Sequence, residues 1–142
     1  GYAVGTKEII KQMTKLHQYG IMSAPTMAQY AAVEAMKNGD SDIDYMREQY
    51  DMRRRLIVNG FNKMGLTCFE PEGAFYVFPC IKSTGMTSEE FCEKLIYSER
   101  VAVVPGNAFG DCGEGYLRVS YSYSIEHIAE ALSRIEHFIK SL

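Results

Sequence analysis

Apolar residues recur at intervals of three and four over most of the chain, which is typical of helices packed on one face. The pattern predicts a first helix over residues 7–18, a second after Thr26 and a long third one that ends at Gly65. A fourth begins at Thr87, where the glutamate three positions on predicts a capping box, and a fifth begins at Ser124. At 1.5 Å per residue the long helix would measure roughly 35 Å, so it either links two lobes or packs along one core.

Stretches rich in β-branched and aromatic residues predict strands between these helices. Residues 66–69 and 74–78 flank the turn-forming residues 70–73 and predict a hairpin. Further strands are predicted at residues 2–4, 101–104 and 115–121. Together the elements predict an α+β fold, in which a small, mostly antiparallel sheet packs against helices and is entered by one long helix.

Composition narrows the class of protein. The 142 residues are 46% hydrophobic and 23% charged, as in an ordinary globular domain. The net charge of −3 argues against nucleic acid as a main partner. No apolar run is long enough to cross a membrane, and charged residues follow the first few positions at once, so we expect neither a membrane partner nor a signal peptide but a cytoplasmic protein. Because the chain starts with glycine and strand character, we expect it to be a fragment.

Cysteine and histidine spacing gives no support for metal binding or for thiol catalysis. No pair of cysteines has the C-x-x-C spacing, and the histidines are scattered. We therefore expect free thiols and no metal ligands among Cys68, Cys80, Cys92, Cys112, His17, His127 and His137.

Arg118 is the best candidate for a ligand contact. It lies in the predicted strand 115–121, where alternation places Leu117, Val119 and Tyr121 on one face and Arg118 on the other. A guanidinium is a planar fork of donors that binds a carboxylate or phosphate through two hydrogen bonds. The alternative is an arginine on a solvated strand face, which the alternation alone favours.

Three segments in series resemble a known family. They are Pro71–Pro79 (PEGAFYVFP), Val103–Gly110 (VVPGNAFG) and Gly115–Tyr121 (GYLRVSY). Their order and spacing resemble the C-terminal part of class I/II aminotransferases, the fold type I pyridoxal-phosphate enzymes related to aspartate aminotransferase. Gly1–Gly5 also resembles the strand that follows the cofactor lysine in that family, so the resemblance covers essentially the whole chain.

The resemblance implies roles for particular residues. Arg118 matches the arginine that pairs with the substrate α-carboxylate. Phe75 and Tyr76 match a strand that lines the substrate side of the cleft, although both are equally explained as core aromatics. The turn 105–110 receives no chemical role. The resemblance further implies that residues 1–39 are the trailing edge of the large cofactor domain and residues 40–142 the C-terminal small domain.

The chain departs from the family where catalysis is concerned. The cofactor lysine, an arginine for the phosphate and an acidic partner of the pyridine nitrogen would all precede Gly1. No lysine stands in the expected setting among Lys7, Lys11, Lys15, Lys37, Lys63, Lys82, Lys94 and Lys140. The resemblance thus implies an aminotransferase that uses pyridoxal 5'-phosphate on an α-amino acid and a 2-keto acid as a homodimer, with this fragment alone inactive.

Two other functions stay open. A pyridoxal-phosphate C–S lyase differs only after the α-proton is lost, and the residues deciding that lie mostly outside the chain. The same fold also serves as the effector-sensing domain of some bacterial transcription regulators, because fold does not fix function. A stand-alone structural domain without a ligand is disfavoured by the start of the chain within an element.

Overall fold

The computed structural model describes residues 1–142, which divide into two units, Gly1–Asp44 and Tyr45–Leu142. The first unit contains α1, Lys7–Gly20, and α2, Thr26–Asn38, and neither helix has a buried residue. Pro25, not Thr26, is the N-cap of α2. The strand predicted at residues 2–4 is wrong, because this segment pairs with no other strand and takes no regular structure.

The second unit carries the sheet and the core. The long helix α3, Asp40–Lys63, begins in the first unit and ends in the second, where Gly65 follows it with φ +86°. The remaining elements are β1 (Tyr76–Val77), α4 (Ser88–Glu99), β2 (Val104–Pro105), β3 (Leu117–Ser120) and α5 (Ile125–Lys140). Short 3₁₀ turns occur at Lys82–Thr84, Gly106–Phe109 and Asp111–Gly113.

The sheet has three antiparallel strands in the order β1-β3-β2. Tyr76 pairs with Ser120 on one side of β3, and Val104 pairs with Arg118 on the other. The strand that carries Arg118 is therefore the central one, held by partners on both edges. The predicted α+β fold with a small antiparallel sheet is confirmed.

The core lies between one face of this sheet and the helices of the second unit. Leu117 and Tyr121 point into it from β3 and its C-terminal end, at 0% and 1% exposure. Phe91 of α4 packs edge-on against Phe138 of α5, with ring centroids 5.1 Å apart. The predicted apolar stripe of α5 is buried at Ile128, Leu132, Ile135 and Phe138.

The predicted hairpin of residues 66–69 and 74–78 is wrong. Only Tyr76–Val77 of these residues forms a strand, and its partner is β3. Residues 66–69 are held by one backbone bond, from the Cys80 N–H to the Thr67 carbonyl at 2.8 Å, and by Asn62. The Asn62 side-chain amide donates to the Cys68 carbonyl at 2.9 Å, and the Cys68 N–H donates to the Asn62 amide oxygen at 3.0 Å. Because one side chain satisfies both backbone groups of Cys68, that residue needs no strand partner.

The capping residues predicted from the sequence are correct for α4 and α5. Thr87 caps α4 with the predicted capping box, in which its side chain accepts from the Glu90 N–H and the Glu90 carboxylate accepts from the Thr87 N–H. Ser124 caps α5 by accepting from the His127 N–H at 3.3 Å. Of the predicted strand 101–104 only Val104 lies in a strand, β2, which continues to Pro105. No helix combines the length and apolar character that crossing a membrane requires.

Candidate functional site

Arg118 lies half-buried on the face of β3 opposite the core. The structure contains no ion pair and no hydrogen bond for its guanidinium, whereas Arg54 of α3 bonds to both Asp51 and Glu70. A charged group that is partly removed from water and has no partner in its own chain is well suited to bind an anion. The donors of Arg118 are thus available to a ligand.

Two aromatic rings lie close to the guanidinium. Its Cζ lies 4.5 Å from the ring centroid of Tyr76 and 4.6 Å from that of Phe109. Cation–π attraction of this kind favours one orientation of a planar cation. Phe78 meets Phe109 edge-on, with centroids 6.2 Å apart. We call Arg118, Tyr76 and Phe109 the arginine clamp.

The structure separates the two aromatic residues that the sequence proposed together. Tyr76 belongs to the arginine clamp. Phe75 instead stacks on Tyr50 of α3, with ring centroids 6.0 Å apart, and its ring lies 4.6 Å from that of Tyr76. Phe75 therefore packs between Tyr50 and Tyr76. A substrate-lining role for Phe75 or Tyr76 stays a prediction.

The backbone before β1 is held in an uncommon conformation. Ala74 has φ +59°, a left-handed geometry that costs a residue with a Cβ roughly 1–2 kcal/mol. The Tyr121 hydroxyl donates to the Ala74 carbonyl at 2.9 Å, and the Tyr121 N–H donates to the Phe75 carbonyl at 2.9 Å. Burial raises the pKa of Tyr121, so it stays a protonated donor. Strained backbone of this kind is concentrated at ligand sites.

Phe109 is the clamp residue that sequence reasoning missed. It ends the 3₁₀ turn Gly106–Phe109, whose start is fixed by the Gly106 N–H donating to the Tyr116 carbonyl at 2.8 Å. A side chain at Gly106 would overlap the carbonyl oxygens of Gly113 and Tyr116, so this close approach requires glycine. The available signal in the sequence was a phenylalanine within a turn bounded by Gly106 and Gly110, where large apolar residues are unusual.

The other candidate chemistries receive less support. No group of three or more His, Cys, Asp or Glu residues could hold a metal ion. All four cysteines are free, and burial raises the pKa of Cys68 and of Cys92 to about 11, which disfavours reactive thiolates. Cavities of about 430 and 470 Å³ lie elsewhere in the second unit, and Arg118 lines neither. The first is mostly apolar, and in the second Arg54 is already paired with Asp51 and Glu70, so neither rivals the clamp.

Comparisons with known proteins agree with the resemblance. The sequence model of the family described as "Aminotransferase class I and II" matches residues 1–135. The chain is 51% identical over 139 residues to the putative aminotransferase YugH of Bacillus subtilis and 43% identical over 142 residues to an aspartate aminotransferase of Pyrococcus abyssi. These matches cover 98% and 99% of this chain and 36% of each relative.

Solved structures give the same picture. The aromatic aminotransferase of Pyrococcus horikoshii OT3 superposes with a TM-score of 0.89 at 44% identity, covering 94% of this chain and 36% of that one. An aspartate aminotransferase of Thermotoga maritima gives a TM-score of 0.87 at 35% identity, covering 96% of this chain and 34% of that one. The chain thus spans about a third of the length of the relatives it matches.

Proposed function

The chain belongs to the class I and II aminotransferase family, and from this premise we propose that it is the C-terminal, carboxylate-binding part of a transaminase acting on an α-amino acid and a 2-keto acid. One observation carries the proposal: a half-buried arginine on a central strand, with two aromatic rings beside it, has no anionic partner in its own chain. The amino donor and the keto acceptor both carry a carboxylate beside the reacting carbon. One arginine can therefore serve both halves of the exchange.

In this proposal the arginine clamp binds and orients the substrate. Two parallel N–H···O bonds from Arg118 would fix the carboxylate in position and in rotation, which a single-point cation does not. The rings of Tyr76 and Phe109 lie 4.5 and 4.6 Å from the guanidinium carbon and restrict where the planar group can lie. Because the guanidinium is half-buried, each hydrogen bond to the carboxylate is stronger than it would be in open solvent.

Pyridoxal phosphate does not fit the residues of this chain. A lysine that forms a Schiff base needs a desolvated setting, and every lysine here is exposed. Lys82, which follows the β1 segment, lies with its ammonium 5.1 Å above the Tyr116 ring. The glycine N–H groups of the turns at Gly106, Gly110, Gly113 and Gly115 all donate to acceptors within the chain, so they offer nothing to a phosphate. We therefore assign the cofactor and its lysine to parts of the protein outside these 142 residues.

The test replaces Arg118 in the complete protein that carries this chain. Arg118→Lys keeps the charge and removes the fork, and Arg118→Ala removes both. Hydrogen bonds to charged groups contribute about 1.5–3 kcal/mol, so we expect the KM for amino acid and keto acid to rise roughly 10- to 150-fold, while the visible absorbance of the bound cofactor is unchanged. Arg55→Lys on the exposed face of α3 is the matched control and should leave KM unchanged.

Unchanged substrate affinity in both Arg118 variants would exclude the carboxylate-binding role. A complete protein that binds the cofactor but eliminates a thiol from a cysteine conjugate, without transferring the amino group, would instead identify a C–S lyase. Turnover by the isolated 142-residue chain would contradict our assignment of the cofactor lysine.

A further inference from the structure

The first turn of α4 and the loop before β3 are tied by reciprocal hydrogen bonds. The N–H of Ser88, the first residue of α4, donates to the Glu114 carboxylate at 2.8 Å. In return, the Gly115 N–H donates to the Ser88 hydroxyl oxygen at 2.9 Å. Ser88 is completely buried, whereas most of the residues buried with it are hydrophobic. We call Ser88, Glu114 and Gly115 the α4 anchor.

The stability of α4 alone does not require this tie. Thr87 and Glu90 already form a complete capping box at the same helix end. Burying a serine hydroxyl is unfavourable unless it is hydrogen-bonded, and a leucine-like core residue would pack without that risk. What the extra bonds do add is a fixed position for the loop, because the Glu114 carboxylate is also held at the positive end of the helix dipole.

The loop so fixed leads directly to Arg118. Gly115 has φ +82°, and a side chain there would overlap that of Lys82. Its carbonyl accepts from the Ile81 N–H at 2.9 Å, so the peptide is held on both sides just before β3 begins.

Tyr116, the residue after Gly115, connects the α4 anchor with the turn that carries Phe109. The Tyr116 carbonyl accepts from the Gly106 N–H, which starts the turn that carries Phe109. A second, longer link joins the same helix end to that turn, since the Asn107 amide donates to the Glu89 carboxylate at 3.4 Å. Arg118 and Phe109 therefore take their positions from the same point, the first turn of α4.

We propose that Ser88 and Glu114 are positioning residues for Arg118, and that they set substrate affinity by fixing the register and direction of the strand that presents the guanidinium. Neither residue contacts the guanidinium. This inference rests on the proposed function, because it takes Arg118 to be the carboxylate-binding residue.

The experiment measures KM and kcat for the complete, cofactor-loaded protein, with 2-oxoglutarate as the keto-acid probe and a panel of amino acids as donors. A misplacement of about 1 Å can cost a hundredfold in rate, and loss of one anchor bond should displace the strand by less. We therefore expect Ser88→Ala and Glu114→Ala to lower kcat/KM about tenfold, mainly through a higher KM, with cofactor absorbance unchanged. Glu114→Gln keeps an acceptor oxygen for the Ser88 N–H and should restore most of the affinity.

Matched controls come from the exposed side of α4. Ser98→Ala and Glu93→Gln make the same chemical changes at exposed positions and should leave KM unchanged. If Ser88→Ala does not fold, Glu114→Ala, on the exposed loop, carries the test alone.

The decisive comparison repeats the anchor substitutions in the Arg118→Ala background. A residue that acts through Arg118 can cause no further loss once the arginine is gone, so we expect the effects not to add. Effects that do add, or an anchor variant with the parent KM, would overturn the positioning role while leaving the proposed function intact. If Arg118→Ala itself leaves KM unchanged, the proposed function fails first and the anchor proposal fails with it.

Discussion

Replacing Phe109 with leucine tests how far the two rings of the clamp contribute to carboxylate binding. The substitution keeps an apolar side chain of similar reach and removes the ring that lies 4.6 Å from the Arg118 Cζ. A cation–π contact contributes about 0.5–1 kcal/mol when exposed and about 2 kcal/mol when desolvated. Arg118 is half-buried, so we take about 1 kcal/mol for each ring, which corresponds to roughly a fivefold change in affinity.

The assay is the affinity of the complete protein for 2-oxoglutarate, measured as KM or by the change in cofactor absorbance on binding. Phe109→Leu and Tyr76→Leu should each weaken binding about fivefold, and the double variant about 25-fold if the two rings act independently. Tyr76→Phe retains the ring and should bind almost as the parent does. Tyr97→Leu removes an exposed ring of α4 and is the control. The reasoning is refuted if both leucine variants bind 2-oxoglutarate as the parent does while Arg118→Lys binds it more weakly.

Three further predictions concern the scaffold. Gly60→Ala should lower the melting temperature, although alanine is the better helix former by about 1 kcal/mol. The new Cβ would lie 2.6 Å from the Leu132 side chain, and such overpacking costs about 1–3 kcal/mol. A gain in stability would show that the Leu132 side chain moves aside. In a thiol titration at pH 8 the exposed Cys112 should react first and the buried Cys68 last. A pKa of about 11 leaves only about one Cys68 in a thousand as thiolate at that pH. Equal reaction rates for the two cysteines would contradict this order. Hydrogen bonds from the α4 N-cap hold the pKa of Glu90 below its ordinary value of 4.5, so its stabilisation is present above pH 4.5 and is lost as the pH falls through the lowered pKa. Glu90→Gln should therefore reduce the fall in melting temperature between pH 6 and pH 3, and an unchanged fall would argue against it.

Sequence reasoning succeeded where the determining contacts are local. The capping box of α4 and the serine cap of α5 involve residues three positions apart, and Gly65 ends α3 by its own conformation. Reasoning failed at residues 66–69, because neighbouring apolar stretches suggested a hairpin. The partner of β1 is β3, far along the chain. The Asn62 side chain forms the hydrogen bonds with the Cys68 backbone that a neighbouring strand would otherwise form.

In the candidate site, too, the sequence predicted what depends on local pattern and missed what depends on long-range contacts. Strand alternation was enough to place Arg118 on the face away from the core, and the structure adds Tyr76 to the same surface. Phe109 could not be found in this way, because it lies in a 3₁₀ turn where no periodicity shows the direction of a side chain. Its position depends on the Gly106–Tyr116 hydrogen bond, which only the folded chain creates.

The strand order β1-β3-β2 also governs the timing of assembly during synthesis. The central strand is the last of the three to leave the ribosome, so β1 and β2 have no partner until residue Ser120 has emerged. A nascent chain that stops before β3 exposes the apolar faces of α3 and α4 with no sheet to cover them, which makes it a substrate for chaperones. The same late strand carries Arg118, so the proposed carboxylate-binding residue is made after β1 and β2 and just before α5, whose apolar side chains complete the core.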